Sequence, residues 1–566
     1  MTLPALPAKA GQKTTFGQLV GSSLALVAAR LTREARRPVL LVTADTPSAL
    51  RLEQELGFLL ADQDCPVLLF PDWETLPYDS FSPHQDIISQ RLETLYQLPQ
   101  MRHGVLIVPI STLMLRTAPQ AYLDKYSLMV TSGQRLNLQQ LRGRLAQAGY
   151  VAVEQVLEHG EFAARGSLLD LFPMGSSRPY RIDFFDDEVD SIRPFDPETQ
   201  RSSEPVKSVS LLPAREFPTD EGAIELFRGQ YREQFEISRA EGSVYQEVSK
   251  GRWPAGIEYY LPLFFSQTAS LFDYLPDNTL LLTVGEIYPA AQRFWNDIGQ
   301  RYEDRRWDNT RPLLPPQQIY LPVEQLFAAL GQYGAVRLQE AATDGGAGQH
   351  DLPIAPLPDL QLDHSKEQPL LALSQFLQGF AGRTLFAVES EGRREGLGDL
   401  LARIKLQPKE FASLDEFVGS KARHGLLVSP LERGFLLEPA GAEALALITE
   451  TELLGGKIRS KRQREKSKNL SSDAVIRNLG ELTQGQPVVH LDHGVGRYLG
   501  LETLDAGGLP TEFLTLEYAG GDKLFVPVTN LHLISRYTGS DNPPSHKLGG
   551  EAWVKARRKA AEKVRD

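Results

Sequence analysis

The chain has 566 residues, 42% of them hydrophobic and 23% charged, with a formal net charge of −12. At roughly 150 residues per domain this length holds three to five domains, each able to bury its own core. Apolar content is too high, and Gly and Pro too few at 46 and 38, for a mainly disordered or collagen-like chain. A net negative charge excludes a protein that coats nucleic acid through uniform positive charge.

The one cysteine, Cys65, excludes an intramolecular disulfide framework and any multi-cysteine zinc or iron–sulfur site, which fits a reducing cytoplasm. Leu19–Ala29, preceded by Lys9 and Lys13, imitates the apolar core of a signal peptide. Gly21-Ser22-Ser23 interrupts it and Arg30, Arg33, Arg36 and Arg37 follow, so it reads as the start of a core helix. No apolar run approaches the roughly 20 residues of a membrane helix. The expectation is a cytoplasmic protein without membrane contact.

The first 120 residues alternate two textures. Leu24–Arg36, Leu50–Leu60 and Asp86–Gln97 have helical spacing, and a further helix begins at Ser111–Arg116. Pro38–Thr43, Pro66–Phe70 and Gly104–Pro109 are short apolar runs of the doubly buried kind. This alternation predicts a parallel sheet with helices on both faces. From Tyr126 to Leu212 the pattern becomes short strands, charged turns and one helix, Leu138–Ala148. Ser167–Phe172, Tyr180–Phe185 and Val189–Ile192 mark a β-rich insertion. Glu221–Arg239 reads as a long charged helix, and Thr279–Thr283 as the strand with which the parallel sheet resumes.

Ala341–His364 is rich in Gly, Ala, Asp and Pro and reads as a linker. Gln375–Phe380, Thr384–Val388, Arg393–Ile404 and Gly425–Ser429 outline a small second α/β domain. Lys457–Arg477 carries eight Lys or Arg against two acidic residues, a net +6. It reads as a solvated linker, with nucleic-acid contact as the alternative. Val488–Leu491, Gly496–Leu504, Glu512–Tyr518, Lys523–Pro527 and Leu531–Ser535 are short strands separated by turn residues, the pattern of a small barrel of the SH3 or Tudor sort. Gly549–Asp566 is a charged helical pattern that stops without a cap, so the chain is read as a fragment.

A parallel α/β start invites a search for the phosphate loop G-x-x-x-x-G-K-[ST], and that loop is absent. Gly17–Ser23 has a glycine spacing without the lysine, and Gly456-Lys457 is followed by Ile458. Asp186-Asp187-Glu188 and Asp415-Glu416 lie in turn-like contexts. His490 and His493 lack a third ligand nearby, and His84 reads as a capping residue. No serine or cysteine sits in a nucleophile elbow. Catalytic, cofactor-binding and metal-binding residues are therefore expected to be absent. Binding signals are better. If Tyr180–Phe185 is a strand, Arg181, Asp183 and Phe185 share one face, with Arg165 close in sequence. Arginine beside an exposed aromatic is hot-spot composition, and a solvated face with local Arg–Asp pairs is the alternative. Leu499, Leu501 and Leu504 either form an exposed barrel edge or fill the barrel core.

These residues resemble one family. Asp72-Trp-Glu-Thr-Leu-Pro-Tyr-Asp-Ser-Phe-Ser-Pro-His-Gln-Asp86 is similar to the N-terminal module of the bacterial transcription-repair coupling factor, Mfd. So are His159–Gly166, Asp170–Gly175, Pro254–Tyr260, Val488–Tyr498 and Lys523–Pro527. The resemblance implies a multidomain α/β chain with a UvrB-like, degenerate motor-type parallel sheet and an inserted β-rich domain that binds UvrA. It also implies a second small α/β domain and an SH3/Tudor-like barrel that grips the β subunit of RNA polymerase. The boundaries are 1–125 and 213–340 for the UvrB-like domain, 126–212 for the UvrA-binding insertion and 341–368 for a linker. They continue with 369–455 for the small α/β domain, 456–480 for the basic linker, 481–540 for the polymerase interaction domain and 541–566 for the start of a connector helix. By position, Arg165, Arg181 and Phe185 match UvrA-contacting residues, and Leu499, Leu501, Glu502, Thr503 and Leu504 match the polymerase-binding edge.

The family couples a polymerase stalled at a lesion to excision repair. Its ATP- and Mg-dependent DNA translocase would follow residue 566, so DNA contact is expected mainly through that missing motor, and this chain is expected to be a monomer. The family also hides the UvrA face against its C-terminal part, so a chain without that part should leave the face exposed. The rival implied by the same resemblance is a UvrB-like ATP-dependent damage verifier, disfavoured by the missing lysine and by the lack of an aromatic-rich hairpin. Charge fits an adaptor. Lys547–Asp566 is +4, so with the basic linker at +6 the remainder carries −22.

Overall fold

Short runs of Val, Leu and Ile set the first layer. They form Pro38–Thr43 (β2), Val67–Leu69 (β3) and Gly104–Pro109 (β4), which follow the Thr- and Phe-bearing Lys13–Gly17 (β1). Every residue of β2 and β4 is buried, as in parallel strands covered on both faces. The computed structural model describes residues 4, 6, 7, 9–61, 65–238, 240, 242–362, 369–438, 443–454, 484–490, 493–505, 510–527 and 534–536. Of residues 503–505, 510–512, 527, 535 and 536 it describes the backbone alone. The basic segment 456–480 and the helical pattern 549–566, both singled out in the sequence, lie outside the described residues. The chain divides into two units, Met1–Ala355 with Leu437–Ala442 and Pro356–Leu436 with Glu443–Asp566.

In the first unit the inserted strands are Leu128–Thr131 (β5), Val151–Ala152 (β6), Glu161–Arg165 (β7), Leu168–Leu171 (β8), Tyr180–Phe185 (β9), Glu188–Pro194 (β10) and Ser208–Leu211 (β11). The chain then returns through Leu280–Val284 (β12), Gly334–Leu338 (β13) and Gln349–Asp351 (β14). The main sheet has the order β14-β1-β13-β12-β2-β4-β3, and its strands pair in parallel, with Leu40 opposite both Leu106 and Leu281. Helix Ser23–Ala35 (α1) buries Leu24, Val27, Ala28 and Leu31, one stripe of a 3.6-residue period. Helix Thr46–Leu59 (α2) starts where the Asp45 carboxylate accepts from the Ser48 N–H at 2.7 Å, with Pro47 in the first turn. Helix Gln85–Gln97 (α3) begins at His84, whose ring accepts from the Asp86 N–H.

The stretch expected to be a linker is corrected here. Gln349–Asp351 pairs in parallel with β1, and Ile354–Ala355 forms a further short strand (β15). No apolar alternation announces β14. It is held by backbone pairing and by the Asp351 carboxylate accepting from the Thr343 N–H at 2.8 Å. The charged helix expected over Glu221–Arg239 stops at Gln234, where Phe235 turns extended. The helix expected over Ser111–Arg116 is the single turn Ile110–Leu113.

The insertion leaves and returns through the antiparallel ribbon β5–β11 and builds the sheet β10-β9-β8-β7-β6. Its inward residues Phe162, Leu169, Ile182, Phe184 and Val189 belong to one continuous core with Leu92, Leu106 and Val108 of the α/β body. Helix α3 is the seat. Arg91 lies fully buried among its apolar residues and meets the equally buried Glu216 at 2.9 Å, just beyond β11. The Trp73 indole N–H donates to the same carboxylate at 2.7 Å, and the guanidinium lies 4.2 Å from the Phe70 ring centre. Two residues earlier the Ser89 hydroxyl accepts from the Gly175 N–H at 2.8 Å. Gly175 has φ 76, a left-handed conformation that favours glycine, and a Cβ there would displace the end of the Leu212 side chain. At the rim, His159 of the insertion meets the Asp86 carboxylate at 2.7 Å through Nδ1 and the Ser176 carbonyl at 2.7 Å through Nε2.

In the second unit, Arg383–Val388 (β16), Lys409–Phe411 (β17), His424–Val428 (β18), Phe435–Leu437 (β19) and Leu445–Thr449 (β20) are the strands of a small α/β fold. β16 lies between β18 and β20, β17 lies outside β18, and these pairs are parallel. Leu373, Phe386, Leu397, Leu401 and Ile448 form its core. The last strands, Pro487–His490 (β21), Gly494–Asp505 (β22), Pro510–Glu517 (β23), Lys523–Pro527 (β24) and Ile534–Arg536 (β25), make an antiparallel sheet of order β24-β23-β22-β21-β25. Among the described residues no helix is long and apolar enough to cross a membrane.

Truncating one partner of a buried ion pair leaves the other charge uncompensated. Glu216→Ala should therefore destabilise the first unit by about 3–5 kcal/mol in urea unfolding. A loss below about 1 kcal/mol, the range of an exposed pair, would contradict the seat described here.

The Asp86 rim contact sets a pH dependence. The His159 and then the His84 hydrogen bonds hold the Asp86 carboxyl far below its ordinary value of 3.8. A depressed carboxylate stabilises above its unfolded value and loses that contribution as pH falls. Thermal melts should show wild type above Asp86→Asn at pH 7 and the two converging well below pH 3.8. A gap that widens in acid would reverse the sign.

Candidate functional site

The insertion presents one outward face. Along β9 the residues alternate, with Ile182 and Phe184 buried in the core and Arg181, Asp183 and Phe185 on the other side. Two hairpins bring their tips to the same end of the sheet. The β7–β8 turn, with Gly166 at φ 63, carries Arg165, and the β9–β10 turn, with Asp186 at φ 53, carries Phe185. Phe185 is 75% exposed, the largest exposure among the described large apolar side chains. Arg165 is exposed and donates to the Glu154 carbonyl. The three residues anticipated from the sequence thus share one face, but not one environment.

Arg181 is only partly accessible. Its register partner on β8 is Asp170, which is buried, and the pair closes bidentately with Nε to Oδ1 at 2.7 Å and Nη2 to Oδ2 at 2.9 Å. Nη1 donates at 3.4 Å to the Gln200 carbonyl and to the Ser202 hydroxyl, and the guanidinium stands 5.0 Å from the Phe195 ring centre. The Asp170 hydrogen bond raises the guanidinium pKa above its already high ordinary value, so it stays charged. Sequence reading left out Asp170, Ser202 and Phe195. An acidic residue between leucines in Leu168-Leu169-Asp170-Leu171 was the available signal, since a buried carboxylate needs a partner.

The second candidate surface lies on the C-terminal sheet. β21 covers β22 only from Gly494 to Arg497, whereas β23 pairs with it from Arg497 to Asp505. Among the described residues, Gly500–Asp505 therefore has a ladder on one side. The register slips between Tyr498 and Gly500, leaving Leu499 as the extra residue of a bulge, its carbonyl accepting from the Gln484 amide at 2.6 Å. Leu499 and Leu501 are half-buried and Glu502 is exposed. Thr503 and Leu504 pair through their backbones with Glu512 and Thr511.

The connection from β1 to α1, where a parallel sheet would carry a phosphate loop, is closed by carboxylates. The Ser22 hydroxyl donates at 2.6 Å to Glu55, both residues being buried, and the Asp351 carboxylate packs against Gly17 so closely that a Cβ there would collide with it. His490 is buried and its ring centre lies 4.7 Å from that of His493.

Comparison with known proteins follows the same division. Residues 128–217 match the family model of the UvrB interaction domain, 376–453 that of the MFD, D3 domain, and 482–538 that of the CarD-like/TRCF RID domain. The transcription-repair-coupling factor of Escherichia coli (strain K12) is 51% identical over 564 residues, 99% of this chain and 48% of that protein. That of Haemophilus influenzae is 49% identical over 566 residues, 100% of this chain and 49% of that protein. That of Bacillus subtilis is 28% identical over 577 residues. The chain spans about half the length of the curated relatives it matches.

Proposed function

We propose, for a chain that belongs over the length it spans to the transcription-repair-coupling factors, that it is the recruiting part of a machine that links stalled transcription to excision repair. The outward face of the insertion takes UvrA through Arg165, Arg181 and Phe185. The open side of β22 takes the β subunit of RNA polymerase by strand pairing through Leu499, Leu501, Glu502, Thr503 and Leu504. The C-terminal five-stranded sheet then serves as a small barrel of the SH3 or Tudor sort, and the α/β body as a UvrB-like platform in the cytoplasm.

The observation that carries the first assignment is Phe185, an aromatic left 75% exposed beside arginines on a face whose other side is pinned to the protein core. Rigid aromatic and arginine anchors on a pre-formed surface are what a tight interface uses. The second assignment is supported by the ladder of Gly500–Asp505, one-sided among the described residues, because an open strand edge offers a row of backbone donors and acceptors to a partner strand.

In this reading the first sheet does not turn over nucleotide. A phosphate loop presents amides and a lysine to an anion. Here the corresponding stretch lacks the lysine and faces Glu55 and Asp351, which repel one. That disfavours the UvrB-like damage verifier. Nucleotide chemistry, with ATP and magnesium, belongs to the part of the relatives that this chain does not span, together with DNA translocation and release of the polymerase.

Phe185→Asp should abolish capture of UvrA in pull-downs while leaving capture of the polymerase β subunit unchanged, and Leu504→Arg should do the reverse. If both variants retain both partners, the assigned surfaces are wrong.

A further inference from the structure

Four strands place one row of side chains across the outward face of the insertion. Ala163 on β7 stands opposite Asp170 on β8, Asp170 opposite Arg181 on β9, and Arg181 opposite Arg193 on β10. Directly opposed residues in an antiparallel ladder point to the same side, so both arginines share the face that carries Phe185. Two like charges in such positions repel, and the buried carboxylate of Asp170 offsets one of them. It does so for Arg181 alone.

The geometry separates the two arginines. Arg181 makes four hydrogen bonds, two to Asp170 and one each to the Gln200 carbonyl and the Ser202 hydroxyl, and lies over Phe195. Those contacts tie the loop after β10 back onto the sheet. Gln200 sits there with φ 59, a left-handed conformation that a glutamine adopts only where its surroundings impose it. Little of this guanidinium is left for a partner. Arg193 stands outside the clasp and is exposed.

Resting on the reading of this face as the UvrA dock, we propose that Arg181 is a positioning residue that acts through Asp170, and that Arg193 supplies a charged contact on the face it shares with Phe185 and Arg165. Arg181 fixes the loop 195–202 and the pleat of β9, and thereby the place of Phe185 two pleats further on. Arg193 offers its guanidinium to a carboxylate of the partner.

The test is UvrA affinity, measured by calorimetry on the full chain beside thermal melts. Arg193→Glu should weaken binding at least tenfold with the melting temperature unchanged. Asp170→Asn should also weaken it, although it frees Arg181. The exchange Arg181→Asp with Asp170→Arg restores the clasp with the charges reversed. It should recover binding to within about threefold of wild type, whereas Arg181→Asp alone should not bind. A direct contact at Arg181 requires the opposite: Asp170→Asn binds as well as or better than wild type, and the exchange does not bind while remaining folded. That result, or wild-type affinity in Arg193→Glu, overturns the proposal. If the exchanged protein does not fold, Arg193→Glu and Asp170→Asn still decide it. Failure of the wild-type chain to bind UvrA would instead strike the function proposed for this face.

Discussion

The buried Arg91–Glu216 pair is the constraint on which the first unit depends. Two charges removed from water are tolerable only when each satisfies the other, and here the Trp73 indole N–H donates to the carboxylate while the guanidinium donates to the Pro71 carbonyl and lies over the Phe70 ring. The pair joins α3 to the segment by which the insertion returns to the body. Around it, Ser89 holds Gly175 and Asp86 holds His159, so three residues of one helix fasten two points of the insertion and the segment by which it returns. With a continuous apolar core underneath, the insertion is a fixed platform and not a tethered domain.

That rigidity bears on recognition. An exposed phenylalanine on a mobile loop would lose conformational freedom on binding, whereas Phe185 stands at a hairpin tip of a sheet whose inner face is already packed. The same economy applies to β22, whose bulge at Leu499 and ladder with β23 order the backbone before any partner strand arrives. The α/β body contributes by holding its place, and its β1–α1 connection is given over to internal contacts between Ser22 and Glu55.

Much of this architecture was legible in the amino-acid order. Pro38–Thr43, Gly104–Pro109, Tyr180–Phe185 and Lys523–Pro527 were expected with the bounds the structure has, because apolar runs and two-residue alternation are local signals. β7 and β13 were passed over as separate strands, and β14 was assigned to a linker because Gln349-His350-Asp351 has no apolar period and is held by pairing with β1 and by the Asp351–Thr343 hydrogen bond. The partners of charged residues were the least legible. Arg91 was not singled out in the sequence, and its carboxylate lies 125 residues away. Asp170 is only 11 residues from Arg181, yet the register that joins them needs the whole hairpin. The candidate dock was visible as composition, and the division of labour within it only as geometry.

The central claim is that one chain offers two independent docking surfaces. Analytical ultracentrifugation of this chain with UvrA and the polymerase β subunit together tests it most directly. The expected result is a single faster-sedimenting species that contains all three proteins. Mutually exclusive binding, in which either partner displaces the other, would contradict it.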